Sequence, residues 1–376
     1  MNNQNIKNFL LQLLRFDTSN DGHLQTGRTL ELLQFIKKEI NSPDIEVNIQ
    51  PYSVKLKNGQ ELKGRGNLIA LPKGRSRGPF IMLQGHVDTV GDATGFKPGA
   101  RQGYIHGRGA VDMKGSVAVM IRVFKQLIKK KNLKYQPMLV LTSDEEANDF
   151  SGIKEFLKTK HSKKEIAFAV CGEPTSLEIK TKLMGVLNVE VNIRQAGGHG
   201  ALPQKENVIE KAGLILSELI KIKKLIVKQK RAGFDPATMN IGVIRGGDVV
   251  NKIPRSCVIK FAVRTIQPHS YYKKIIEKRI ALLGFKNIKI KYCFSYDPVI
   301  VRRRLPSDGL GSKIKKGRGI FRAFSEATLL NQNDILAYVF GAGDIKKAHK
   351  KAEKESISLA ELEKYEKILV GFFRND

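Results

Sequence analysis

Short apolar runs and helical patterns alternate through the first half of the chain. Asn67–Leu71, Phe80–Gln84, Pro137–Thr142 and Ile166–Val170 are apolar runs bounded by glycine, proline or charge. They predict strands buried on both faces, as in a largely parallel sheet. Val117, Met120, Phe124, Leu127 and Ile128 recur at three- and four-residue spacing, which predicts a helix over Gly115–Lys131 with one apolar face. The lysines at its end suit the negative end of the helix dipole. Such alternation implies an α/β domain, a mostly parallel sheet with helices on both faces.

The texture changes after about Lys180. Leu187–Arg194 alternates strictly between apolar and polar residues, the pattern of a half-solvated antiparallel strand. Asn207–Ile220 predicts an amphipathic helix with Val208, Ala212, Leu216 and Leu219 inward. Met239–Ile244 and Cys257–Arg264 read as strands, Ser270–Leu283 as a helix and Lys286–Tyr292 as an alternating strand. This β-α-β-β-α-β order is that of an α+β, ferredoxin-like unit. Past Tyr296 the α/β texture resumes, with Ala337–Phe340 as a last strand and Leu359–Phe373 as a closing helix. The basic, glycine-rich segment Val301–Gly319 reads as a loop. The expected organisation is an α/β domain of residues 1–180 and 296–376, with a second domain of residues 181–295 inserted into it.

The chain has 376 residues, 41% hydrophobic and 27% charged, a globular composition. No run approaches the ~18–20 uncharged apolar residues of a membrane span. Met1–Leu14 holds neither an apolar signal core nor a small-residue cleavage site, so a cytoplasmic protein with no membrane partner is expected. Three cysteines without paired spacing argue against a disulfide framework and against a thiolate zinc site. The 66 lysines and arginines outnumber the 36 acids and give a net charge of +30, which would attract phosphate groups. They are spread along the whole chain, however, and do not gather into one arm. The surface is therefore read as solvated, and nucleic acid is not the expected partner.

Candidate chemistry gathers at the predicted strand ends, where open α/β sheets place their ligands. His86 and Asp88, in Gly85-His86-Val87-Asp88, lie two apart and so leave one side of an extended segment. A carboxylate so placed can orient an imidazole that binds metal. Asp112 sits among glycines just before a predicted helix, where it either caps that helix or faces a ligand. Ser143-Asp144-Glu145-Glu146 puts three acids at a buried strand end, which only a cation or protonation makes tolerable. Glu173 follows another strand, and Gly341-Ala342-Gly343-Asp344 follows the last, with His349 nearby. Two histidines and several carboxylates form a ligand set for zinc or a close relative.

These residues resemble those of the dinuclear-zinc family of aminoacylases, acetylornithine deacetylase, succinyl-diaminopimelate desuccinylase and carboxypeptidase G. The resemblance extends over essentially the whole chain. It implies that His86, Asp112, Glu146, Glu173 and His349 ligate two zinc ions per subunit, with cobalt able to substitute. Asp112 would bridge the ions, Asp88 would orient His86, and Glu145 would be the general acid/base. His199, in Gly197-Gly198-His199-Gly200, resembles the family's oxyanion-stabilising lid histidine, which often serves the partner subunit's site. Asn251 and Arg264 resemble the residues that hold the substrate carboxylate. The inserted domain then becomes a lid and dimerisation domain, and a homodimer is expected.

The chain departs from the family pattern in four places. Gly341-Ala342-Gly343 replaces Gly-Pro-Gly, Ala352 stands before Glu353 where an acid or asparagine is usual, and Met184 replaces a basic residue. The stretch from Val90 to Gly103 is short and lacks tryptophan. None of these removes a ligand, but the last three bear on the substrate pocket. The expected substrate is an N-acyl amino acid. Acetylornithine deacetylase is the leading reading, which would place the chain in arginine synthesis; desuccinylase and carboxypeptidase G-like activities are the alternatives. A polyanion-binding protein with an inactive metal site is the competing reading, and the complete ligand set argues against it.

Overall fold

The computed structural model describes residues 5–20, 28–55, 61–74, 79–91, 96–130, 132–146, 150–202, 206–302 and 319–373. Most of the loop expected over Val301–Gly319 lies outside them. The chain divides into one unit of Met1–Thr181, Val301–Gly319 and Ser325–Asp376, and another of Lys182–Ile300 and Ile320–Phe324.

The larger unit is built on a six-stranded sheet, in the order Ile45–Lys55, Glu61–Pro72, Gln136–Thr142, Phe80–His86, Ile166–Cys171, Ala337–Val339. The last four strands run parallel; Glu61–Pro72 pairs antiparallel with Gln136–Thr142, and Ile45–Lys55 pairs antiparallel with Glu61–Pro72 at the edge. The mixed α/β class predicted from the alternation is the class the chain adopts. Every residue of Phe80–His86 is buried, which is why that stretch reads as a continuous apolar run. Gln84 and His86 are its polar exceptions. Helix Lys114–Ile128 is buried over most of its length, packing against the sheet and against helices Ile6–Leu14 and Leu359–Gly371. The chain around the parallel strand ends is closely packed. A Cβ at Gly341 would run into the carbonyl oxygens of Gly172 and Glu173, so only glycine lets the segment after the last strand lie there.

The smaller unit has a four-stranded antiparallel sheet in the order Thr238–Gly246, Ser256–Thr265, Gly185–Arg194, Ile288–Tyr296. Helices Val208–Ile226 and His269–Ala281 share its core with Val189, Val191, Ile259 and Phe261. Asn207 and Glu210 close a capping box at the start of the first helix, satisfying backbone donors that a helix leaves open. The buried stripe of that helix is Val208, Ala212, Ile215, Leu219, Ile222 and Ile226. This corrects the expected inward face: Ile215 takes the place given to Leu216, which is half-buried, and the helix runs on past Ile220. The lysines between Ile220 and Ile226 obscure in sequence a stripe that keeps its three- and four-residue steps. Among the described residues, no helix is long and apolar enough to cross a membrane.

Candidate metal centre

His86 is the last residue of its strand and is fully buried. Its Nδ1 lies 3.0 Å from the backbone carbonyl oxygen of Asp88, which can only accept, so Nδ1 donates and Nε2 faces Asp112 Oδ1 at 3.2 Å. The Asp88 carboxylate is farther from Nδ1, at 3.6 Å. Its oxygens accept from the backbone N–H groups of Glu145 (3.3 Å) and Glu146 (3.0 Å) and from the Asn20 amide (3.0 Å). Asp88 thus ties the His86 strand to the loop that carries the glutamates.

Asp112 comes from a loop rather than a strand end, which corrects the expected placement. It does not cap the following helix, whose N-cap is Met113. The loop is held by Glu355, whose Oε1 accepts from the N–H of Val111 (3.1 Å) while Oε2 pairs with Arg108 at 2.6 Å. Glu355 is buried, whereas Glu353, two residues earlier, is exposed. A buried acid is the one that can meet the open N–H groups of a tight loop. Gly109 adopts a positive φ and would press a Cβ into Thr89, so glycine is required for this loop to reach the strand ends.

The three consecutive acids part company. Asp144 adopts a left-handed backbone, φ 65°, and faces away from its neighbours. Its carboxylate accepts from Arg65 (3.0 Å), Asn20 (2.8 Å) and the Tyr52 hydroxyl (3.0 Å). The Asn20 amide therefore joins Asp88 to Asp144, and Arg65 supplies a buried cation. Removing Arg65 would leave Asp144 buried without its cation. R65A is expected to destabilise the larger unit by about 3–5 kcal/mol, read from urea denaturation. The double variant R65A/D144N should recover part of the loss, and an unshifted midpoint in R65A would contradict the account.

Glu145, Glu146 and Glu173 face the centre together with His349, which lies in a loop with φ 57° and is half exposed. Three overlapping sets of potential ligands result: His86, Asp112 and Glu173; His86, Glu145 and Glu146; Asp112, Glu146 and His349. Within each set the ligand atoms lie within 4.8 Å of one another. The two oxygens of Asp112 divide between the imidazoles, Oδ1 at 3.2 Å from His86 Nε2 and Oδ2 at 3.4 Å from His349 Nε2. His349 Nε2 is also 3.0 Å from Glu146 Oε1. Two imidazoles and three carboxylates around a shared carboxylate are a donor set that fits a pair of divalent cations.

The protonation energetics point the same way. Burial and the neighbouring Glu173, Glu146 and Asp112 push Glu145 well above the ordinary range, against the pull of His86. Burial, reinforced by Asp112, raises Glu173 to about 8. Burial pulls His86 down, but contacts with Asp112 and Asp88 outweigh it and hold it well above its usual value. Contacts with Asp112 and Glu146 raise His349 to about 10. Burial also lifts Glu326, a buried acid behind the strand ends, to about 7. All five groups bind protons more tightly when folded, so their stabilisation is lost as pH rises through the folded values. For Glu173 and Glu326 that window runs from the ordinary 4.5 to about 7–8. Without divalent cations, the melting temperature should fall from about pH 5 to about pH 8, and added cation should flatten the slope. A melting temperature that rises over that window would contradict this.

In the smaller unit, His199 and Asn251 lie on one groove with Lys252 and Arg255, a cavity of about 810 Å³. His199 is exposed, and its Nδ1 accepts from the N–H of Ala201 at 3.2 Å. Arg264 is half-buried near the end of its strand, opposite Val186 and Thr238, and is not among the residues lining that groove. Asn20, Tyr52, Arg65, Glu326 and Glu355 were not singled out from sequence. Each is a single polar residue with no motif around it.

The model of peptidase family M20/M25/M40 matches residues 82–375. The chain belongs to that family. Among the relatives of this M20 chain, the succinyl-diaminopimelate desuccinylase of Buchnera aphidicola subsp. Acyrthosiphon pisum (strain Tuc7) is 30% identical over 252 residues, 62% of this chain and 66% of that one. The desuccinylase of Rickettsia typhi is 34% identical over 211 residues, 52% and 55% of the two chains. The M20 chain thus spans less than two thirds of these curated relatives. An M20 family metallo-carboxypeptidase from Sulfolobus solfataricus superposes with a TM-score of 0.72 at 16% identity, over 99% of this chain and 98% of that one. At that identity the likeness concerns the fold.

Proposed function

We propose that this M20 chain is a metal-dependent amide hydrolase that removes an acyl group from an N-acylated amino acid, with two zinc ions held between His86 and His349. The carrying observation is the division of Asp112 between the two imidazoles, one oxygen to each. His86, Asp112 and Glu173 would hold one ion, and Asp112, Glu146 and His349 the other. Bound cations lower the pKa of water and polarise a substrate carbonyl. Glu145 takes a proton on its carboxylate from the attacking water and returns it to the leaving nitrogen. Asp88 holds the Glu145–Glu146 backbone in place. The resemblance would give His199 the oxyanion and Asn251 and Arg264 the substrate carboxylate, a guanidinium being suited to a two-point grip.

The relatives' names and the groove favour a succinylated substrate over N-acetylornithine. Lys252 and Arg255 beside His199 and Asn251 suit an acyl or amino-acid portion with an additional carboxylate. A homodimer through the lid is supported by the outer side of helix Val208–Ile226. There Ile209, Ile220 and Val227 lie along one exposed line, and strand Thr238–Gly246 forms an edge of its sheet. The test is hydrolysis of N-succinyl-diaminopimelate and N-acetylornithine with added zinc or cobalt. Faster turnover of the succinylated compound is expected. Failure to cleave either of these or other N-acyl amino acids would discard the proposal.

A further inference from the structure

Glu326 opens helix Glu326–Gln332 and is 1% exposed. Its Oε2 accepts from Thr142 Oγ1 at 2.7 Å and from the Gln84 amide. Its Oε1 is buried and has no hydrogen-bond partner among the described residues. The chain carries 66 basic residues against 36 acids, yet among the described residues no lysine or arginine pairs with this carboxyl. A buried carboxylate left without a cation is strongly disfavoured, so something else must offset it.

The two donors say what. Gln84 stands two residues before His86 on the same strand face, and Thr142 is the register partner of His86. Thr142 also leads directly into Ser143–Glu146, and its carbonyl accepts from the N–H of Val87. The charged group that favours ionised Glu326 is His86, whereas Asp88 opposes it.

We propose that Glu326 is a positioning and charge-balancing residue for the cations, fixing the two strand ends that present His86 and Glu145–Glu146, with bound cation as its counter-charge. This rests on the metal reading above. Metal-free wild type, E326Q and E326D are each titrated with Zn²⁺ against a chromogenic chelator, and their metal-free melting temperatures are recorded. E326Q keeps the shape and an acceptor for Thr142 but loses the charge. It should bind Zn²⁺ about tenfold more weakly, as removal of a residue supporting metal ligands does. Its metal-free melting temperature should equal or exceed that of wild type, because an uncompensated charge is gone. E326D, which keeps the charge, should bind more tightly than E326Q. Unchanged Zn²⁺ affinity in E326Q would overturn the proposal, whatever its melting temperature. If E326Q loses both affinity and stability, E326D decides: affinity recovered with the charge supports the role, and affinity still lost overturns it. A wild type that fails to bind Zn²⁺ would instead remove the metal reading, and this inference with it.

Discussion

E145Q is expected to cut turnover of the proposed N-acyl substrate by about 10³-fold, within the range a positioned general acid/base supplies. Glutamine has the size of glutamate and offers one acceptor oxygen, but it cannot take a proton from water and pass it on. Glu145 sits within 4.8 Å of ligand atoms on His86 and Glu146, close enough to reach a water in the centre. Burial, reinforced by Glu173, Glu146 and Asp112, raises its proton affinity, which suits a residue that must accept a proton from water. The fold should be unaffected, since the backbone N–H of Glu145, not its side chain, makes the bond to Asp88. The check is kcat against metal content: near-normal rates would remove Glu145 from the proton transfer. A loss of activity that merely tracked lost metal would assign it to binding.

D112N should abolish paired cation binding. The carboxylate gives one oxygen to the side of each imidazole, and an asparagine amide has only one oxygen to give. Metal analysis after dialysis should therefore fall from two ions per chain in the wild type to one or none, with hydrolysis at background. The stabilisation that cation adds should also shrink. A ligand at a hundred times its dissociation constant contributes about 2.7 kcal/mol to the wild type, and D112N should forfeit most of that. Two ions retained per chain in D112N would refute the bridging assignment.

Much of the architecture was written in the periodicity, and the exceptions have physical causes. Phe80–His86 announces itself because both of its faces are buried and its side chains are nearly all apolar. Strand Ile45–Lys55 does not: it lies at the sheet edge, alternates in burial and contains Pro51, so nothing marks it as part of the same sheet. The residues of the centre stood out because histidines and acids followed apolar runs or glycines. Their supporting partners could not, since Arg65 looks like any of the other basic residues and Glu326 like an ordinary first residue of a helix. Glu353 and Glu355 differ in sequence by two places and in structure by burial, which a single chain read without its fold does not reveal.

The grip of Glu355 on the 111–112 backbone, with His349 a few residues before it, has a consequence for how this protein comes into being. More than two hundred residues separate these groups from the loop they complete. A nascent chain on the ribosome thus has its first histidine and most of its acids exposed to the cell long before the piece that finishes the cage has left the exit tunnel. On the proposed metal reading, the paired cations could be captured only late in biosynthesis, and until then the acids stay hydrated in a fold that has not yet closed around them.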